Sequence, residues 1–81
     1  MDIKVLGSGN CSNCETQMEI IKRALTTTGK FAKLEKVVDL VEIMNYGVMS
    51  TPAIVIDGEV KARGKVLNEQ EVIALFNTNT H

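Results

Sequence analysis

The chain opens with apolar and polar residues in alternation. Asp2-Ile3-Lys4-Val5-Leu6 has period two, which predicts a strand with Ile3 and Val5 on one face. Gly7 and Gly9 break it. From Cys11 to about Thr28 the period changes, with Cys14, Met18, Ile21 and Leu25 recurring at helical spacing. Glu19 and Arg23 fall in place for an i,i+4 ion pair on the outer face of that helix. Thr26-Thr27-Thr28-Gly29 weakens the helix and ends it. Residues 33–38 read as a second strand. Asp39, with Glu42 three places later, forms a capping box for a short helix whose core stripe is Leu40, Ile43 and Met44. Gly47 closes that helix. Ala53-Ile54-Val55-Ile56 is wholly apolar, as expected of a strand covered on both faces.

Asp57-Gly58 is a two-residue hairpin signal, so Glu59–Arg63 is expected to return antiparallel. Asn68 and Glu71 cap a last helix with a stripe of Val72, Leu75 and Phe76, and the polar tail Asn77–His81 is expected to fray. The order is strand, helix, strand, helix, strand, strand, helix. That order predicts an α/β domain, 1–81, with parallel or mixed pairing, helices packed on the sheet and an antiparallel edge.

Composition narrows the function classes. At 81 residues the chain is expected to be one domain, burying about 60 to 65% of its unfolded surface. Nine basic and ten acidic residues are interspersed without runs, which argues against nucleic acid and anionic lipid as partners. Three aromatic residues, Phe31, Tyr46 and Phe76, give little to stack bases on. No apolar run approaches the roughly 20 residues that cross a bilayer. The N-terminus lacks a basic segment followed by an apolar one, so a cytoplasmic location is the expectation.

The candidate chemistry lies in Cys11-Ser12-Asn13-Cys14, which holds the only two cysteines. At a helix start, i and i+3 are surface neighbours, close enough for a short-loop disulfide. Cys11 would face unpaired backbone N–H groups and the positive end of the helix dipole, which favour a thiolate. In the cytosol such a pair is more often catalytic or metal-binding than structural. A loop this short also stabilises little, about 2 kcal/mol by chain entropy.

A dithiol/disulfide switch is therefore the first reading. Binding of a soft metal or metalloid such as copper(I) by the two thiolates is the second. A structural zinc site needs further ligands, and only His81 is available to add one. Inert buried cysteines are the third reading, and no organic cofactor is implied. Gly7 and Gly9 are turn residues, because Ser12 stands where a dinucleotide motif needs its third glycine. Met18, Leu25 and Met44 are expected in the core, and Met49 is the methionine placed to face a partner. Tyr46 is expected to pack on the sheet edge with its hydroxyl solvated.

The element order with Cys-x-x-Cys at the first helix resembles the thioredoxin fold in its small, glutaredoxin-sized form. Tyr46-Gly47-Val48-Met49-Ser50-Thr51-Pro52 is similar to the tyrosine-glycine stretch that leads to the cis-proline of thioredoxins. Residues 1 to about 76 resemble the compact "redox-active disulfide" proteins of archaea and bacteria. The resemblance implies a mixed four-stranded sheet with three helices (β-α-β-α-β-β-α) and a thiol–disulfide oxidoreductase. It implies Cys11 as the exposed nucleophile, Cys14 as the resolving thiol and Pro52 as the cis-proline. Thr51 matches the residue whose backbone bonds an extended substrate.

The implied partners are disulfide-containing proteins and a protein reductase, with the chain a monomer. The chain also departs from the pattern. Val5 stands where thioredoxins bury an acid, Ser12-Asn13 replaces Gly-Pro, and no tryptophan precedes the motif. Arg63-Gly64-Lys65-Val66 replaces the Gly-Gly and nearby acid of glutaredoxins, which argues against glutathione. Lys61, Arg63 and Lys65 then read as a solvated strand edge.

Overall fold

The computed structural model describes residues 1–7 and 12–78. Its elements are β1 (Asp2–Leu6), α1 (Ser12–Thr28), β2 (Lys33–Val37), α2 (Leu40–Asn45), β3 (Ala53–Ile56), β4 (Glu59–Arg63) and α3 (Glu69–Thr78). The four strands form one sheet in the order β2-β1-β3-β4. β1 runs parallel to β2, across the α1 crossover, and antiparallel to β3, while β3 and β4 are the expected antiparallel hairpin. The sheet is therefore mixed.

The alternation in β1 decides which side chains meet which helix. Ile3 and Val5 face a core cluster with Ile54, Ile56, Ile21, Ala24, Val72 and Phe76, supplied by α1 and α3. Leu6 faces the opposite side, where Val37, Ala53 and Val55 meet Ile43 and Val48 beneath α2. All four residues of β3 are buried, as its apolar run predicts.

The β3–β4 turn is two residues long with both in left-handed backbone conformation, Asp57 at φ 51° and Gly58 at φ 85°. That is the arrangement whose twist matches the flanking strands. Asp57 also ties the turn to the chain start: its Oδ1 accepts from the Asp2 N–H at 2.8 Å. The register shifts between Ile54–Ala62 and Val55–Val60 leave Lys61 as the extra residue of a β-bulge on the edge strand. At α3 the capping box is reciprocal. Asn68 Oδ1 accepts from the Glu71 N–H at 2.8 Å, and Glu71 Oε1 accepts from the Asn68 N–H at 3.1 Å.

Several expectations need correcting. The buried line of α1 is Cys14, Gln17, Ile21 and Ala24, with Met18 and Leu25 only partly buried beside it. Helical spacing alone does not say which side of Ile21 turns inward. Glu19 pairs with Lys22 at 3.6 Å, one position short of Arg23. In α2, Asp39 caps as expected, accepting from the Val41 N–H at 2.8 Å. Its stripe, however, buries only Ile43 and leaves Leu40 and Met44 exposed, because a six-residue helix turns a narrow face to the sheet. The Tyr46 hydroxyl is not left to solvent; it accepts from Lys4 Nζ at 3.3 Å.

Candidate functional site

The end of the sheet where β1 and β2 finish is also where β3 begins and β4 finishes. Gly7 follows β1 and donates its N–H to the Val37 carbonyl at 3.0 Å, closing β1 onto β2. α1 starts from this end, and Cys14 in its first turn is fully buried and disulfide-bonded. Its Sγ lies 3.9 Å from the Leu6 carbonyl oxygen. A disulfide sulfur has no proton to give, so this is a packing contact; the reduced thiol could donate weakly there.

Leu6 pairs across the sheet with Ala53, and the residue before Ala53 is Pro52. The Thr51–Pro52 bond is cis, the isomer that the resemblance implies. Pro52 is buried, while Met49, Ser50 and Thr51 ahead of it are exposed. The Pro52 carbonyl accepts from the Gly64 N–H at 3.0 Å. Gly64 has φ +79°, and a Cβ there would meet the Ser50 Cβ at 3.2 Å. The turn after β4 therefore sits directly against the loop that carries Thr51.

The structure thus gathers Cys14, Thr51 and Pro52 at one end of the sheet. Cys11 lies outside the described residues, and with it the helix-start environment expected for its thiolate; His81 lies outside them as well. Val5, which stands where thioredoxins bury an acid, has no exposed surface. Next to Cys14 in sequence, Glu15 pairs with Lys36 of β2 at 3.2 Å. On the α2 face, Lys4 bonds Tyr46 and pairs with Glu35 at 3.7 Å. The Tyr46 hydroxyl first, and then Glu35 and Glu42, hold the Lys4 ammonium above the usual lysine range against the opposing effect of burial. Lys61 and Lys65 are paired with Glu59 at 3.3 Å and Glu71 at 3.6 Å.

Gln17 is the residue that sequence reasoning missed. It is fully buried one turn beyond Cys14, and its amide bonds both backbone groups of Leu67. The available signal was a polar residue three places after Cys14 and four before Ile21, about one turn from each, inside an otherwise apolar line.

A buried half-cystine at the base of a helix, across β1 from a proline-led strand, is the arrangement of a thioredoxin-type thiol–disulfide oxidoreductase. Comparison with known proteins agrees. Residues 1–77 match the model of the family described as the thioredoxin domain, and the chain belongs to that family. A thioredoxin of Methanothermobacter thermautotrophicus is 31% identical over 72 residues, spanning 89% of this chain and 92% of that protein. A thioredoxin of Methanocaldococcus jannaschii is 31% identical over 70 residues, spanning 86% and 79%. Among solved structures, a thioredoxin-2 described as a component of malaria parasite protein secretion machinery superposes with a TM-score of 0.73. It covers 96% of this chain and 82% of its own, and at 20% identity it speaks for the fold.

Proposed function

We propose that the protein reduces or exchanges disulfides in partner proteins, with Cys11 as nucleophile and Cys14 as resolving thiol. The Cys11 thiolate attacks one sulfur of a substrate disulfide, forming a mixed disulfide and releasing the other sulfur as a thiolate. The Cys14 thiolate then attacks Cys11 Sγ, releasing the second substrate sulfur, and two electrons remain with the substrate as a dithiol. The protein is left as the Cys11–Cys14 disulfide, and a protein reductase resets it. Thr51 presents its backbone to an extended substrate by strand addition, beside Pro52.

The observation that carries this reading is the buried, disulfide-bonded Cys14, which contacts the end of β1 one strand away from Pro52. The reaction runs in the cytoplasm on a monomer, where the poise keeps such a pair cycling. Glutathione is a poor reductant for it, because the basic turn at Arg63-Gly64-Lys65 lacks the acid of the glutaredoxin pattern.

A Cys14→Ser variant tests the assignment by stalling the cycle after the first step. It should accumulate mixed disulfides through Cys11 that dithiothreitol releases, and the Cys11→Ser variant should accumulate none. Trapping by the Cys11→Ser variant alone would reverse the two roles. Rapid reduction of the oxidised protein by glutathione alone would remove the need for a protein reductase.

A further inference from the structure

The helix α2 carries most of its apolar surface outward. Leu40 is 59% exposed, Val41 67% and Met44 64%, and Met49 in the following loop is 98% exposed. Leu40, Ile43, Met44, Val48, Met49 and Thr51 line one open groove of about 410 Å³. The groove therefore runs from α2 to the residue that precedes Pro52. Two of its walls are methionines, whose unbranched thioether chains adapt to varied apolar shapes.

Charge decides what fits. Between Lys36 and Thr51 the sequence holds two acids, Asp39 and Glu42, and no lysine, arginine or histidine. Asp39 and Glu42 are exposed at the start of α2. Lys4 on this face of the sheet is engaged by Glu35 and Tyr46, while Lys33 and Arg63 share the face at the far edges, opposite Asp2 and Ala53. The groove is thus apolar with two acids at its α2 end. A second copy docking through the same patch about a two-fold axis would bring two sets of Asp39 and Glu42 into one interface with no added cation from the groove.

We propose that this groove docks a stretch of substrate polypeptide whose apolar residues are flanked by lysine or arginine. The proposal rests on the thiol–disulfide reading above, since the groove ends at Thr51. It assigns that site a substrate class: disulfide proteins with an apolar, basic-flanked segment near the reacting cysteine. Apolar side chains fill the groove between Leu40 and Met49, and the flanking bases pair with Asp39 and Glu42. This opposite-charge requirement selects among apolar segments.

The test uses the intact protein and two cysteine-free peptides that share an apolar core, one flanked by lysines and the other by glutamates. Binding is followed through the methyl resonances of Met44 and Met49. The lysine-flanked peptide should shift both methyls and bind at least about fivefold more tightly, as expected for two exposed ion pairs. The difference should shrink as salt rises toward about 1 M. Glu42→Lys should narrow the preference, and Met44→Ser should weaken both peptides.

Equal binding of the two peptides, or shifts elsewhere with Met44 and Met49 silent, would overturn the proposal. So would a protein-concentration-dependent shift of the two methyls with no response to peptide, which would assign the groove to a second copy. Because the peptides carry no cysteine, the readout is independent of the thiol chemistry. A protein that binds the lysine-flanked peptide but reduces no disulfide would sink the oxidoreductase assignment and leave the groove standing.

Discussion

The side-chain amide of Gln17 makes to Leu67 the two hydrogen bonds that a neighbouring strand would make. Gln17 Nε2 donates to the Leu67 carbonyl at 3.1 Å, and the Leu67 N–H donates to Gln17 Oε1 at 2.6 Å. The segment between β4 and α3 is thereby pinned to the helix face that carries Cys14. Gln17→Ala leaves both backbone groups without partners and opens a cavity, an expected loss of about 2–4 kcal/mol. Gln17→Leu keeps the volume but still strands both groups, for about 1–3 kcal/mol. Urea unfolding of the two variants checks this, and a loss below about 0.5 kcal/mol in both would show that the amide is dispensable.

Gly64 offers a second test, through the backbone. Its φ of +79° lies where an L-residue costs about 1–2 kcal/mol. An added methyl also presses on Ser50, immediately before Thr51. Gly64→Ala should therefore lose stability by about that amount and slow the reduction of a protein disulfide more than that of a small one. Equal slowing of both substrates would mean that Ser50 gives way without moving Thr51.

The two cysteines should label at different rates once reduced. Cys14 has no exposed surface and lies against the Leu6 carbonyl, so its thiol is shielded from both reagent and water. Burial favours the neutral thiol and holds its reactivity down. In the reduced single-cysteine variants, Cys11 should alkylate faster at neutral pH and show the lower midpoint across a pH series. Faster labelling of Cys14 would reverse the nucleophile assignment.

Lys4 predicts an alkaline effect with a definite sign. Its ammonium is favoured in the folded state, chiefly by the Tyr46 hydroxyl and then by Glu35 and Glu42. A group raised in this way stabilises the fold fully below its unfolded pKa of about 10.4, and the effect is lost as pH climbs through the higher folded value. The Tm of the wild type should fall toward that of Lys4→Met above about pH 10, with the gap constant between about pH 7 and 9. A gap that widens with alkali would contradict the interaction.

The elements with unambiguous local chemistry could be read from the sequence: the Asp57-Gly58 turn, the Asn68/Glu71 box, the apolar run of β3 and the helical period of α1, though not which side of it is buried. Their reasons lie within a few residues of each other. The misreadings share a different cause. Whether Leu40 and Met44 are buried depends on how much of a short helix the sheet can cover, which no local pattern contains. Gln17 looks like an interruption of the α1 stripe until Leu67, 50 residues away, supplies both of its partners. The Tyr46 hydroxyl likewise finds Lys4 only across the fold. Near Cys14, the cis isomer of the Thr51–Pro52 bond followed from the resemblance, whereas the contact of Gly64 with the Thr51 loop required the β4 turn to be in place.

A six-residue helix anchored by a single buried side chain has little to keep it closed. α1 and α3 share a large cluster on one side of the sheet, while Ile43 alone fastens α2 to the smaller cluster on the other. The free energy of local opening is therefore uneven across the molecule, and the α2 layer lies at its low end. The larger cluster that holds Cys14 contains no residue of α2. The surface on the α2 side can therefore change its shape with the packing around the buried Cys14 kept.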